Sequence, residues 1–421
     1  MTERLLQYIW QFQYFNNQNL ETTQGEPLQV IQGGVYNSNQ GPDFLNGKVK
    51  TGDTTWVGHI EIHIRASEWY THEHSDDQHY GNVILHVVWE NDKHLQLPFP
   101  TLELQTRVSA LLLTKYEELM QSAQFIPCQQ HIATVPAITL AAWKERLLVE
   151  RLQQRALDVE TVLTKNNYHW EECFWWLLAK NFGAKVNADA FEKIAQSIPL
   201  NILAKHKNQV QQLEALLMGQ AGMLDKTFDD AYPNMLRREY IFLQKKYILR
   251  KAFAPIYFLR MRPPNFPTIR LAQLAVLVQQ SHHLFSSVRD IADINAFKKL
   301  LKVTANDYWH YHYLFDELTA FKKKTVGEDM IRNIVINTVI PMLYAYGYLN
   351  NNEQYKDKAL RWMEQVSAEQ NSITKGFELL GIHNKNAFDS QALIQLKNVY
   401  CNYKQCLQCA VGNQVMKAMD K

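Results

Sequence analysis

The spacing of hydrophobic positions changes early in the chain. Up to about residue 115, short apolar runs with period-two alternation lie between turn-forming residues, a pattern typical of β-strands. Residues 44–64 predict a hairpin, because two such runs flank a Gly-Asp turn. The β-branched run 83–90 predicts a further strand. Residues 2–14 precede all of these runs and have the apolar spacing of a helix.

From residue 137 onward the apolar positions recur with the period of an α-helix. Most of these runs begin at Ser, Thr, Asp or Asn, or end near Gly or Pro, as capped helices do. After a first run at 139–163, helices are expected at 170–182, 187–196, 200–219, 234–252, 268–280, 287–302, 311–322, 328–348, 353–368 and 388–399.

The two patterns together predict an α+β protein. We expect a small mixed α/β domain at residues 1–115, a connector at 116–136 and a large all-helical domain at 137–421, which ends in a cluster of cysteines. A chain of 421 residues is too long for one compact core, which agrees with this division.

Composition narrows the class of protein. The formal net charge of +2 is close to neutral, so any affinity for nucleic acid has to come from a local patch. The first residues lack the features of a signal peptide, and no apolar run reaches the roughly 20 residues that cross a bilayer. We therefore expect a cytoplasmic protein with no membrane partner, whose odd number of cysteines is reduced or bound to metal.

Residues 58–64, GHIEIHI, predict a strand with one aliphatic and one chemically active face. Isoleucines alternate with His59, Glu61 and His63, so imidazole and carboxylate groups share one face. Seven of the fifteen histidines fall between His59 and His94, among several acidic residues. Such a mixture provides the groups that a divalent-metal or acid–base site needs.

Asp43 and Glu61 are the first candidate ligands. Asp43 follows a Gly-Pro turn at the entrance to the hairpin, and pairing of the two runs would bring it within reach of Glu61. Two carboxylates supply the hard oxygen ligands that magnesium or manganese prefers. His63, on the same strand face as Glu61, could touch the attacking water, so Asp43, Glu61 and His63 form a candidate catalytic set.

Pro42-Asp43 followed by Glu61-Ile62-His63 resembles the motif of the PD-(D/E)XK nuclease superfamily. The resemblance implies a restriction-endonuclease-like fold for residues 1–115, an acidic pair that binds magnesium, and a third residue that activates water against a phosphodiester. It thus implies a metal-dependent nuclease or a nuclease-derived protein that binds nucleic acid. His63 stands where the family has lysine, so its charge at neutral pH is only partial. The segment 65–81 is also short for the helix that this family inserts there.

Two other interpretations of this region are possible. His72, His74 and Asp77, with His79, form an H-x-H-x-x-D-x-H cluster that could join Glu61 and His63 in a cupin-like transition-metal site of a hydrolase. Alternatively, the strand face is a binding surface of a non-catalytic scaffold or interaction protein that keeps the fold without the activity. His86 shares a strand face with apolar residues, which favours a hydrogen-bonded core histidine.

The cysteines predict a second metal site. Cys401, Cys406 and Cys409 form a C-x4-C-x2-C run, and Cys128, in a Pro-marked turn, is the natural fourth ligand. Four such thiolates suit zinc or an iron–sulfur cluster. Cys173 lies among aromatic residues with helical spacing and is expected to be a buried small hydrophobe.

A basic stretch with interleaved aromatic residues extends from residue 237 to residue 270. Its Pro-rich part presents Arg260, Arg262 and Arg270, which could hold phosphates while aromatic rings stack on bases. The alternative is that these aromatic residues are core and the charges are their solvated face. Nucleic acid is the partner that the first interpretation implies.

The full chain also resembles a bacterial domain-of-unknown-function family. The resemblance rests on GPDF, WVGHIEIHIRASEW, NVILHVVWEND and CNYKQCLQC, and it supports the domain plan without implying a reaction.

Overall fold

The structure is a computed structural model that describes residues 1–74, 77–259, 261–281 and 283–417. The chain folds into two compact units. Residues 1–143, together with the segment from residue 396 onward, form the first, which we call the sheet unit. Residues 144–395 form the second, the helical unit. The division expected at 1–115, 116–136 and 137–421 differs from this one, because the C-terminal cysteine segment packs on residues of the sheet unit.

The sheet unit is built on one mixed sheet. Its strands are β1 (Leu20–Glu21), β2 (Pro27–Gln32), β3 (Val35–Tyr36), β4 (Phe44–Thr51), β5 (Thr54–Arg65), β6 (Val83–Glu90) and β7 (Thr101–Glu103). The strand order is β1-β2-β4-β5-β6-β7, and β3 pairs with β4. β4 and β5 are antiparallel with Thr51 opposite Thr54, which confirms the hairpin. β6 runs parallel to β5 and to β7.

Most of the longer α-helices lie where the sequence pattern predicts them, whereas those at Ala110–Gln121 and Ser372–Leu379 were not expected. In chain order they are α1 (Glu3–Phe12), α2 (Glu68–Thr71), α3 (Ala110–Gln121), α4 (Ala137–Thr164), α5 (Trp170–Phe182), α6 (Ala184–Gln196), α7 (Leu200–Lys205), α8 (Val210–Gln220), α9 (Ala231–Tyr247), α10 (Pro267–Gln280), α11 (Leu284–Asp290), α12 (Ile294–Leu301), α13 (Asp307–His310), α14 (Glu328–Ile334), α15 (Ile340–Leu349), α16 (Glu353–Gln365), α17 (Ser372–Leu379), α18 (Ala387–Gln395) and α19 (Ala410–Lys417). Segments of π-helix lie at Val335–Val339 and Leu396–Cys401.

One expected helix, at 311–322, is wrong. α13 ends at His310, and the chain then folds back on itself: the Thr319 N–H donates to the Tyr311 carbonyl at 2.7 Å, and the Lys322 N–H donates to the His310 carbonyl at 2.8 Å. Asp316 adopts a positive φ of 63° in this loop. Aromatic and apolar residues at helical spacing can also pack inside a loop, so the spacing alone misassigned the segment.

α1 lies against the central strands of the sheet unit. Its apolar face, which includes Leu6, Ile9 and Trp10, is buried, and it contacts β5. The side chain of Thr2 caps the helix by accepting from the Leu5 N–H at 3.3 Å. The indole of Trp10 donates to the Gly33 carbonyl at 2.8 Å. These contacts place the first turns of α1 beside the start of β4.

The connection from β5 to β6 carries α2 and the His-rich segment. Parallel strands need such a crossover. Trp69 of α2 is buried in an apolar cluster with Ala66, Val83, Val88 and Leu95. This anchor fixes where the residues that directly follow α2 lie.

Among the residues that the structure describes, none of the helices combines the length and the apolar composition needed to cross a bilayer.

Candidate metal centre

Asp43 and Glu61 lie next to each other and are joined through the backbone. The Asp43 N–H donates to Glu61 Oε2 at 3.0 Å, and the Ile62 N–H donates to Asp43 Oδ2 at 3.2 Å. Gln7 of α1 donates to Asp43 Oδ1 at 2.8 Å. The hairpin brings the two carboxylates together, because Asp43 directly precedes β4 and Glu61 lies on the neighbouring strand β5.

Three histidines converge beside this acidic pair. His63 Nε2 lies 3.2 Å from His72 Nδ1 and 3.3 Å from His74 Nε2. The three ligand nitrogens all lie within 4.8 Å of one another. Glu61 Oε1 lies 3.6 Å from His63 Nε2 and 3.5 Å from His74 Nε2. Two donors bound tetrahedrally to one ion at about 2.1 Å are about 3.4 Å apart, so these separations match a coordination shell.

His86 of β6 contacts the second ring nitrogen of His63, the one that does not face His72 and His74. Its Nε2 lies 2.9 Å from His63 Nδ1, and its side chain is fully buried. When the His63 Nδ1–H donates to His86, the lone pair of His63 Nε2 points towards His72 and His74. Metal-binding histidines are commonly oriented by such a second hydrogen bond. The burial of His86 agrees with the expected core histidine, but its contact with the cluster was not foreseen.

Burial acts in opposite directions on the acids and the imidazoles of the cluster. It raises the pKa of Asp43 to about 7, with a further contribution from Glu3, and the pKa of Glu61 to about 9, with a further contribution from Asp43. It lowers the pKa of His63 to about 2 and that of His86 to about 3. The imidazoles of His63 and His86 are therefore neutral, and a cation beside Asp43 and Glu61 would stabilise both carboxylates in the charged form.

Asp77 and His79 do not join this cluster. The Asp77 carboxylate accepts from the His79 backbone N–H at 2.9 Å and lies 2.7 Å from His79 Nδ1. Of the expected H-x-H-x-x-D-x-H set, the structure thus brings His72 and His74 to His63 and pairs the other two with each other.

Sequence reasoning missed the contribution of α1. Glu3 and Gln7 are four residues apart on one helix face, and Gln7 donates to Glu3 Oε1 at 3.1 Å as well as to Asp43. The four-residue spacing predicts that Glu3 and Gln7 share a helix face, but it does not predict which strand lies beside that face. For His86, the missing information was the register that sets it opposite Glu61.

The three arginines proposed for nucleic acid differ in their surroundings. Arg262 is exposed. Arg270 is half-buried and donates to Gln273 Oε1 at 3.0 Å and to Asn265 Oδ1 at 2.6 Å. Arg260 lies outside the described residues. Arg262 can contact a ligand directly, whereas Arg270 would first have to leave these partners.

Three aromatic residues of the same basic stretch are exposed. Tyr240 of α9 is buried, but Phe242, Phe253 and Tyr257 are 58%, 93% and 53% exposed. The expectation that these rings are core holds for Tyr240 alone of these four.

Cys128, Cys401, Cys406 and Cys409 line one recess of the sheet unit. All four are free thiols. Cys173 is fully buried in α5, which confirms its expected place in an apolar core.

Fold and site together define a class: a two-unit protein with a carboxylate–histidine cluster on a mixed sheet. The chain belongs to the family described as "Protein of unknown function (DUF2851)", whose model matches residues 3–372. Comparisons with curated proteins and with solved structures find no match. The membership confirms the family resemblance seen in the sequence. No comparison matches the chain to the PD-(D/E)XK nucleases.

Proposed function

We propose that this protein is a metal-dependent hydrolase of phosphodiesters, a nuclease, with its ion at the carboxylate–histidine cluster. The observation that carries the proposal is the convergence of three histidine nitrogens within 4.8 Å of one another, with Glu61 Oε1 3.5 Å from His74 Nε2. Asp43 is joined to this group through its backbone N–H, which donates to Glu61 Oε2 at 3.0 Å. Buried carboxylates and neutral imidazoles in this arrangement are costly without a cation and favourable with one.

Each residue has a role in this proposal. Glu61 and the nitrogens of His63 and His74 hold the ion, and His72 closes the exposed side. Asp43 contributes the second carboxylate, which Gln7 orients. A divalent ion at this point would stabilise the charge that develops on a scissile phosphate and lower the pKa of its bound water.

The ligand set favours manganese, iron or zinc over magnesium. Magnesium selects oxygen ligands, whereas imidazole suits the later first-row metals. The sequence-based expectation of magnesium or manganese considered only Asp43 and Glu61, and the histidines shift our preference to manganese among those two.

The order of elements supports the nuclease interpretation. A helix, a hairpin that carries the acidic pair, and a crossover into a parallel strand follow one another here as the resemblance implies. His63 departs from the family motif: its side chain is 1% exposed and contacts three other imidazoles, so it serves as a nitrogen ligand instead of a cationic lysine.

The helical unit offers a surface that suits a nucleic-acid strand. The segment after α9 exposes Phe253 and Tyr257 close in sequence to Arg250, Lys251 and Arg262. Aromatic faces stack on bases, and cations contact the phosphates. Lys251 Nζ lies 2.6 Å from Asp225 Oδ1, and this ion pair makes Lys251 less available to a phosphate.

The first test is cleavage of single-stranded DNA, duplex DNA and RNA by metal-free protein to which manganese, zinc, iron or magnesium is added back. We expect cleavage with manganese, abolished by a chelator. Asp43→Asn and Glu61→Gln should each lower the rate about 100-fold or more, since they remove a ligand charge with little change in shape.

Asp77→Asn is the matched control. It makes the same chemical change in the segment beside the cluster, at a carboxylate that pairs with His79 instead. Cleavage that persists unchanged in Asp43→Asn and Glu61→Gln would refute the proposed centre. Wild-type protein that binds no divalent metal at all would favour a non-catalytic scaffold.

A second candidate is a transition-metal hydrolase of small phosphodiesters. The convergence of three histidines favours it, because this geometry does not depend on a polymer-binding surface. Comparing a small chromogenic phosphodiester with DNA and RNA separates the two: a marked preference for the small substrate would support this candidate.

A further inference from the structure

Four of the five cysteines surround one recess in the sheet unit. Cys128 comes from the turn after α3, whereas Cys401, Cys406 and Cys409 come from the C-terminal segment. Aliphatic side chains form much of the remaining wall of the recess: Ile126, Ile132, Leu396 and Val411. Residues distant in sequence thus present their thiols to one small space.

Contacts that do not involve sulfur hold the two segments together. Lys397 Nζ donates to the Phe125 carbonyl at 2.6 Å, and Lys404 Nζ donates to the Met120 carbonyl. α19 packs tightly on the segment before it, because a Cβ at Gly412 would lie 2.2 Å from the Cys406 carbonyl oxygen. The fold therefore arranges the cysteines through ordinary packing and hydrogen bonds.

The surroundings of the sulfurs suit bound thiolates. The backbone N–H groups of Gly412 and Val411 donate to the sulfur of Cys409. Cys128, Cys406 and Cys409 are each 6% exposed, so little solvent reaches them. Hydrogen bonds from backbone amides and an apolar shell are common around metal-bound sulfur.

The spacing of the cysteines along the chain favours a cluster. The C-x4-C-x2-C run of Cys401, Cys406 and Cys409 has the spacing of plant-type cluster ligation, in which a further, distant cysteine completes the set. Cys128 lines the same recess and supplies that distant thiolate.

We infer that Cys128, Cys401, Cys406 and Cys409 bind an iron–sulfur cluster. The cluster fastens the turn at residues 126–132 to the segment 396–417, and it is separate from the carboxylate–histidine cluster in ligands and in chemistry. Its role is structural, because it joins two parts of the sheet unit that the chain's own connectivity leaves far apart.

The full-length protein, purified without oxygen, provides the test. We expect visible absorption that bleaches on exposure to air, with iron and acid-labile sulfide in equal amounts of about two to four per chain. Stoichiometric zinc without sulfide, or five titratable thiols with neither metal, would overturn the inference.

Alanine variants assign the ligands. Cys128→Ala, Cys401→Ala, Cys406→Ala and Cys409→Ala should each lose most of the iron, the sulfide and the absorption. Cys173→Ala, which changes a buried cysteine of α5 outside the recess, should keep them. If a variant is insoluble, metal-free wild-type protein is reconstituted with iron and sulfide instead. Failure to regain the visible absorption would contradict the proposed cluster.

Acid-labile sulfide separates this inference from the proposed function. Iron bound at the carboxylate–histidine cluster would carry no sulfide, whereas the cysteine-bound cluster must contain it. Loss of cleavage in Glu61→Gln with the sulfide content unchanged would support both proposals at once, and either can fail alone.

Discussion

At the scale of single residues, the motif predicts the position of His63 correctly but not its surroundings. The sequence correctly puts it on the same strand face as Glu61, and the hairpin that brings Asp43 close is also predictable from a turn and two alternating runs. The motif nevertheless suggests a cation, whereas the structure surrounds the ring with other imidazoles. That environment depends on β6 and on the segment after α2, and no local pattern specifies it.

The contact between His86 and His63 leads to a prediction about metal affinity. His86→Gln should weaken manganese binding about 10- to 100-fold, because His63 loses the partner that fixes its ring while the ligand atoms remain. Metal titration of the purified variant measures the change. His94→Gln, on the surface of the same unit, should bind as wild type does. Equal affinities of His86→Gln and wild type would show that His86 only fills the core.

Glu214 leads to a prediction about the pH dependence of stability. Its buried carboxylate accepts from Tyr232 at 2.8 Å and from Trp309 at 3.0 Å, and burial raises its pKa to about 7. Because the folded pKa exceeds the unfolded one, this group's contribution to stability is complete below about pH 4.5 and is lost as pH rises through 7. The loss by pH 8 amounts to about 3 kcal/mol.

Denaturant unfolding between pH 5 and pH 8 tests this effect. Glu214→Gln cannot ionise, so its free energy of unfolding should fall less over that range than the wild-type value. Glu145→Gln, an exposed change in α4, should follow the wild-type slope. Parallel curves for Glu214→Gln and wild type would contradict the assignment.

At the scale of elements, periodicity succeeds where one face of an element meets the core. It identified α5, α10 and α16 to within a few residues. It merged α7 with α8 and α11 with α12, since apolar spacing continues across the short breaks between them. The prediction failed for the loop at 311–322 because its aromatic rings pack on one another: the ring centroids of Tyr311 and Phe321 lie 5.3 Å apart.

The close packing of α8 on α9 leads to a third prediction. A Cβ at Gly219 would lie 2.1 Å from the Tyr240 ring, so Gly219→Ala forces the helices apart. We expect a loss of about 1–3 kcal/mol in the free energy of unfolding, measured with urea. Gly327→Ala is the control, because its Cβ meets open space and should change stability by no more than about 0.5 kcal/mol. Similar losses in both variants would point to backbone effects instead of packing.

At the scale of the whole molecule, two distant stretches of chain build the sheet unit. Hydrophobic periodicity assigned residues 388–399 to an ordinary helix of the second domain, which is reasonable locally. Only the contacts of the last segment, such as Lys397 with Phe125, show that it belongs elsewhere. Long-range assignments of this kind depend on side-chain partners that sequence spacing does not reveal.

This two-part construction leads to a fourth prediction. Gly412→Ala should destabilise the sheet unit selectively, because α19 can no longer pack on Cys406. Hydrogen exchange should then speed up about 10-fold or more in β4 and β5, with α10 of the helical unit unchanged. Gly81→Ala, in the same unit but with more room around its Cβ, should exchange as wild type does. Uniform acceleration across both units would contradict the selective effect.

The return of the chain to its first unit also governs when that unit can be completed during synthesis. A ribosome will have translated every residue of the carboxylate–histidine cluster long before residues 396–417 emerge, and the entire helical unit is made in between. A nascent polypeptide stalled after the helical unit would carry Asp43, Glu61 and the histidines in a sheet unit that still lacks residues 396–417. The contacts that this segment makes, such as that of Lys397 with the Phe125 carbonyl, can therefore form only after the helical unit has been synthesised.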